Sequence, residues 1–161
     1  MTPAQALASD VLERAKVRGV MVALAESCTG GLVSAALTEI AGSSAVVDRG
    51  FVTYTNDAKQ DLLGVKAATL DAHGAVSAQT AREMADGALA RSQAGVAVSI
   101  TGVAGPGGGT AAKPVGLVWF ALAQAGRDTR TVERRFGEVG RAKVRALSVE
   151  TALTLLRDAL G

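Results

Sequence analysis

The spacing of apolar residues changes along the chain, and each change marks an element. Thr2-Pro3 reads as an N-cap followed by a first-turn proline, after which Leu7, Val11, Leu12 and Ala15 recur at helical spacing as far as Arg18-Gly19. Residues 20–25 form a continuous apolar run of strand length, the pattern of a strand covered on both faces. Glu26-Ser27-Cys28-Thr29-Gly30-Gly31 interrupts it, and residues 32–40 return to helical spacing, closed by Ala41-Gly42. Residues 50–55 are β-prone. Asn56 reads as the N-cap of a short helix through Leu63, with Gly64 as its stop. His73 falls at a helix C-terminus, and Ser77 caps a longer helix to about Gln93 whose inward face carries Ala81, Met84, Ala85, Ala88 and Leu89.

Residues 95–103 predict a further strand, followed by a glycine-rich loop over 105–114. Residues 115–123 and 129–136 predict two strands joined by a turn at Ala125-Gly126-Arg127-Asp128, and so short a turn favours antiparallel pairing. Residues 141–160 close the chain as a helix. The order helix, strand, helix, strand, helices, three strands, helix implies an α/β fold with a mixed sheet and helices on its faces. At 161 residues, with no linker or repeat, the chain reads as one domain over 1–161.

Composition narrows the chemistry. Hydrophobic residues make up 48% of the chain, enough for a real core. One His, His73, and one Cys, Cys28, cannot supply a tetrahedral Cys/His zinc site, so no metal is expected. A catalytic base is then more plausibly something other than histidine. The net charge of +2 and an aromatic content of 3% give no nucleic-acid footprint and no stacking platform. No apolar run is long enough to span a bilayer, and no signal peptide is visible. A lone thiol fits a reducing compartment, so a cytoplasmic location is expected.

Three loops carry candidate chemistry. Ser27-Cys28-Thr29-Gly30-Gly31 lies between a buried strand and a helix, where ligands of α/β folds bind; it suits an anion, and it equally suits an ordinary turn capped by Thr29. Gly42-Ser43-Ser44 is a helix end with two turn serines, or the place of a nucleophile. Tyr54-Thr55-Asn56-Asp57-Ala58-Lys59 puts Lys59 in a first helical turn, where the helix dipole lowers its pKa, or simply on a solvated face. Thr101 ends a strand, Lys113 ends the glycine-rich loop, and Arg141 and Arg145 share one face of the last helix. Cys28 reads better as a small packing residue than as a nucleophile.

These segments together resemble the CinA C-terminal domain family, the nicotinamide mononucleotide (NMN) amidohydrolases also called PncC. The matching stretches are residues 25–31, 41–44, 50–56 with Lys59, 63–65, 73–77, 99–106 and 113–116, nearly the whole chain. The resemblance implies a single-domain α/β/α sandwich, in the stand-alone form, that hydrolyses the NMN carboxamide to nicotinate mononucleotide and ammonia without a cofactor. It implies Ser44 as nucleophile and Lys59 as base, assisted by Tyr54, with Ser27, Thr29, Gly30, Gly31, Ala45, Thr101 and Arg141 around the substrate. Where the family often has Gly-Asp-Arg before the last helix, this chain has Phe136-Gly137-Glu138-Val139-Gly140-Arg141, so Arg145 stands as the second candidate. The expected partners are the small-molecule substrate and a second copy in a dimer, with no nucleic acid and no membrane. The alternative is a non-catalytic nucleotide-binding or regulatory module tied to competence or DNA-damage responses.

In the resulting mechanism Lys59 deprotonates Ser44, directly or through Tyr54, N–H groups near Ser44-Ala45 hold the oxyanion, and the phosphate lies near Gly30-Gly31 or an arginine. A distance constrains it. Ser44 and Tyr54 are ten residues apart, about 33 Å on a straight strand. Residues 44–49 must therefore turn, before Arg49-Gly50, or the groups must meet across a dimer interface.

Overall fold

A computed structural model describes Met1–Gly161. The elements are α1 (Pro3–Arg18), β1 (Val22–Glu26), α2 (Leu32–Thr38), a 3-10 turn (Ser43–Ala45), β2 (Val47–Val52), α3 (Asn56–Leu63), α4 (Ala67–His73), α5 (Ala78–Ala90), β3 (Val96–Gly102), β4 (Leu117–Gln124), β5 (Arg130–Arg135) and α6 (Arg141–Ala159). The five strands form one sheet in the order β2-β1-β3-β4-β5. β1 pairs in parallel with β2 and β3; β3–β4 and β4–β5 are antiparallel. This is the expected mixed sheet with helices on its faces.

The two faces differ in side-chain size. Val22 and Leu24 of β1, Val98 and Ile100 of β3 and Phe120 of β4 face α1, α2 and α6 in the main core. The alternate positions are small: Ala23, Ala25, Ala97, Ala121 and Ala123. A wall of methyl groups lets α5 lie close, through Ala81, Met84, Ala85 and Ala88. The backbone of α3 meets α5 at Gly87, where a Cβ would stand 2.0 Å from the Leu63 carbonyl oxygen. That contact seats the helix carrying Lys59 against the sheet.

Several boundaries shift. β2 begins at Val47 and ends at Val52, so the chain turns ahead of Arg49-Gly50, as expected, but earlier, in the 3-10 segment at Ser43–Ala45, and residues 47–49 are already strand. Glu26 belongs to β1. Thr55, not Asn56, caps α3: its side chain accepts the Ala58 N–H. The Thr2 cap is present as a reciprocal box with Gln5, and Ser77 caps α5 through the Thr80 N–H. α5 stops at Ala90, short of Gln93. No helix is long and apolar enough to cross a membrane.

Candidate active site

The carboxyl ends of the three parallel strands lie side by side. The Glu26 carbonyl accepts the Thr53 N–H and the Ile100 carbonyl accepts the Ser27 N–H, which continues both ladders one step past the strands. That register sets Thr53, Ser27 and Thr101 in a row, each buried. Strand alternation aims their side chains toward α3 and α5. Thr101 Oγ1 donates to the Ala75 carbonyl at 2.8 Å, tying β3 to the segment before α5.

Lys59 reaches this row from the first turns of α3. It is 1% exposed, among the largest fully buried side chains of the molecule. Its Nζ lies 3.0 Å from Ser27 Oγ, 2.9 Å from the Thr53 carbonyl oxygen and 3.4 Å from that of Tyr54. Burial holds its pKa below the ordinary 10.5; the Cys28 sulfur acts in the opposite direction to a smaller extent. The direction matches the sequence expectation, but the principal cause is desolvation rather than the helix dipole. Cys28 is itself pushed up to about 11 by burial, so its thiol stays protonated and packs.

Ser44 is elsewhere. It is exposed in the 3-10 turn before β2, while the Lys59 amine sits past the end of β2. The six residues of that strand separate them by about 17 Å. Gly42, two residues before Ser44, neighbours Lys16 near the end of α1, at the opposite end of the parallel strands. Within one chain the expected Ser44–Lys59 pair is therefore not formed, and Ala45 lies with Ser44, away from the buried lysine. The serine that meets Lys59 is Ser27.

Tyr54 contributes its carbonyl, not its hydroxyl, to Lys59. The ring is exposed, and its oxygen accepts from Arg141 Nη2 at 2.9 Å. Arg141 Nη1 donates to the Gly105 carbonyl at 3.0 Å, so the first residue of α6 links Tyr54 to the loop after β3. Arg145 instead braces the turn after β1, donating to the carbonyls of Cys28 (3.1 Å) and Thr29 (3.3 Å). Of the two arginines, Arg141 lies at Tyr54 and the loop after β3, and Arg145 holds the turn after β1. At the far end of the glycine-rich loop, Lys113 donates to the His73 carbonyl and pins the loop to α4.

The turn at residues 27–31 is not an open anion cradle. Gly31, at φ +105°, starts α2, and the helix N-terminus is filled by the buried side chain of Glu26. Thr29 Oγ1 and the N–H groups of Gly31 and Val33 donate to its Oε1, and the Ser34 N–H and hydroxyl donate to its Oε2. The Thr29 hydroxyl and the Gly31 N–H thus serve the turn. Sequence reasoning missed Glu26; its signal was an acid ending an apolar run just before a helix start.

The carboxyl ends of the parallel strands of this α/β fold thus carry a buried serine–lysine contact, with Arg141 held at Tyr54 beside it. The comparisons agree with that architecture. The CinA C-terminal domain profile matches residues 4–160, and the chain belongs to that family. A relative from Enterobacter agglomerans, "Nicotinamide-nucleotide amidohydrolase PncC", is 53% identical over 143 residues, covering 86% of both chains. A "CinA-like protein" from Mycolicibacterium gilvum is 54% identical over 148 residues, which is 91% of this chain and 35% of that longer one. The crystal structure of a competence/damage-inducible protein from Agrobacterium tumefaciens superposes with a TM-score of 0.96 at 56% identity, covering 99% of this chain and 96% of that one.

Proposed function

We propose that this chain hydrolyses the carboxamide of NMN to nicotinate mononucleotide and ammonia, with Ser27 as nucleophile and Lys59 as the base. The observation that carries the assignment is the 3.0 Å contact between Lys59 Nζ and Ser27 Oγ inside a buried site. The substrate comes from the name of the Enterobacter agglomerans relative. A neutral Lys59 donates its two N–H bonds to the Thr53 and Tyr54 carbonyls and turns its lone pair to the Ser27 hydroxyl. Two backbone acceptors thus fix the direction of the base, and desolvation favours its neutral form.

Lys59 takes the Ser27 proton as Ser27 Oγ bonds to the carboxamide carbon. The lysine ammonium then protonates the departing nitrogen, the C–N bond breaks, and ammonia leaves an acyl-serine ester. Water, deprotonated by Lys59, attacks the ester carbon. The acid is released and the proton returns to Ser27. The substrate phosphate belongs beside Arg141, because Glu26 already fills the start of α2. The same reading expects a cytoplasmic homodimer, which sedimentation of the purified protein checks.

Ammonia release from NMN by the wild type, Ser27→Ala, Lys59→Met and Ser44→Ala tests the assignment. Ser27→Ala and Lys59→Met fall by at least about 10³-fold, while Ser44→Ala stays near wild type. An inactive wild type, or a fully active Ser27→Ala, defeats the proposal.

A further inference from the structure

The turn that carries Ser27 is held on every side except one. Its carbonyls are all engaged: Ser27 O accepts the Gly30 N–H at 3.0 Å, Cys28 O accepts Arg145 Nε, and Thr29 O accepts the Leu32 N–H at 3.0 Å and Arg145 Nη2. The N–H groups of Cys28 and Thr29 donate to no other residue, the Cys28 N–H facing only its own sulfur, although both residues are buried, at 6% and 0% exposure. Unpaired buried backbone N–H groups are rare in folded proteins, because each one forfeits a hydrogen bond to water. These two are adjacent, and they follow Ser27 directly.

Their directions are fixed by the carbonyls. A peptide unit is planar, with its N–H opposite its C=O. Holding Ser27 O therefore aims the Cys28 N–H, and holding Cys28 O aims the Thr29 N–H. What holds the turn as a whole is Glu26. Its backbone ends β1, and its side chain reaches over the turn to five donors: Thr29 Oγ1 at 2.7 Å, Gly31 N at 3.2 Å, Val33 N at 2.9 Å, Ser34 N at 3.0 Å and Ser34 Oγ at 2.7 Å. The turn is closed into a ring by the residue that immediately precedes the serine. The ring also draws the first-turn N–H groups of α2 inward onto one internal anion, so they are not available to a substrate.

We propose that the Cys28 and Thr29 N–H groups are the oxyanion donors of the Ser27 reaction, and that Glu26 is the positioning residue that keeps them free and aimed. The inference rests on Ser27 being the nucleophile. When Ser27 Oγ bonds to the carboxamide carbon, the carbonyl π electrons move onto oxygen, and two N–H dipoles already oriented by the turn receive that charge. In the ground state the oxygen carries less charge, so the interaction acts on kcat more than on binding.

Glu26→Gln tests it. The amide keeps the shape but offers one acceptor oxygen and a donor, so at least two of the five donors lose their partner and the turn moves. Expected is a fall in kcat for NMN of about 10²-fold with KM changed less than about threefold. A second readout needs no substrate: an alkyl fluorophosphonate phosphonylates serine with loss of fluoride, placing its P–O oxygen at the oxyanion position. Intact mass and peptide mapping then give the labelling rate of Ser27, which drops in Glu26→Gln in parallel with kcat. Ser34→Ala, which deletes one hydroxyl donor and leaves the glutamate, gives the same split in smaller measure and serves if Glu26→Gln does not fold. An unchanged kcat and labelling rate in a folded Glu26→Gln, or in Ser34→Ala where the former does not fold, overturns the inference, as does a loss confined to KM. A wild type labelled elsewhere than Ser27, with an active Ser27→Ala, overturns the serine–lysine reading and this inference with it.

Discussion

Lys59→Met separates the two consequences of burying an amine. Methionine has nearly the same length and no charge, so the variant removes one titration and little packing. In the wild type, burial lowers the folded-state pKa of Lys59 from 10.5, its value in the unfolded chain. Below the folded pKa both states carry the proton and the cost of the buried ammonium is at its maximum. Between the folded pKa and 10.5 the unfolded chain holds a proton that the native protein has released. Unfolding then takes up a proton, so stability rises with pH in that window. The slope approaches, at most, about 1.36 kcal/mol per pH unit. Above 10.5 both states are neutral and the dependence ends.

Urea titrations of the wild type and Lys59→Met at a series of pH values measure this as a difference of unfolding free energies. Both proteins carry Cys28→Ala, so that the thiol, raised from 9.0 to about 11, does not titrate in the same range. Wild type gains on the variant as pH rises, and the pH at which the gain begins marks the folded pKa of Lys59. Ammonia release supplies an independent reading, since neutral Lys59 is the reactive form: kcat/KM rises with pH through that same value. A difference that is flat up to pH 10.5, or that falls with pH, refutes the account of a desolvated lysine. A stability rise at one pH with an activity limb at another refutes Lys59 as the base while leaving its burial intact.

Gly87→Ala places a methyl 2.0 Å from the Leu63 carbonyl oxygen, so α3 must move; overpacking of about 3 kcal/mol outweighs a helix-propensity gain of about 1 kcal/mol, and thermal denaturation shows a net loss of about 2 kcal/mol together with reduced kcat. Thr53→Val removes the one buried side-chain oxygen with no partner, and chemical denaturation shows a gain of about 1 kcal/mol. Arg141→Ala raises KM for NMN by about tenfold or more, and Arg141→Lys does not restore it, because a lysine cannot hold Tyr54, Gly105 and a phosphate at once.

The fold was legible because its signals are local. Thr2-Pro3, Ser77 and the continuous apolar run of the first strand act within a few positions, and the structure keeps them. Boundaries slipped where a neighbour decided the matter. Residues 47–49 look polar and turn-like, yet they form strand because Val22, Ala23 and Leu24 of β1 offer a parallel partner. The short helix after Tyr54 left Lys59 either a lowered-pKa lysine or a solvated one; the pKa is lowered, but by burial against Ser27 and Thr53, a tertiary fact with no trace in spacing. The pairing of Ser44 with Lys59 came from the resemblance alone, and the distance along a straight β2, already a difficulty in the sequence, keeps the two apart within one chain.

Strand order supplies the rule that selects the other serine. β1 has parallel neighbours on both sides, and the chain leaves it along one face through α2 and returns to β3 along the other through α3, α4 and α5. Connections that depart to opposite faces open a crevice at the carboxyl end of the strand between them, which is where ligands of open α/β sheets bind. The residue emerging from β1 at that end is Ser27. Ser44 precedes β2 and so lies at the amino end of the parallel strands, whatever its neighbours in sequence. Placing the nucleophile at the start of a tight strand-to-helix turn also fits the way Glu26 turns inward against α2: the turn must leave its own amides unpaired, and a carboxylate inside the fold holds the helix start without help from a ligand. The same arrangement separates substrate recognition from chemistry, with Arg141 on α6 for charge and the β1 turn for bond-breaking. Variants at Arg141 should therefore move KM, and variants at Glu26 and Ser34 should move kcat.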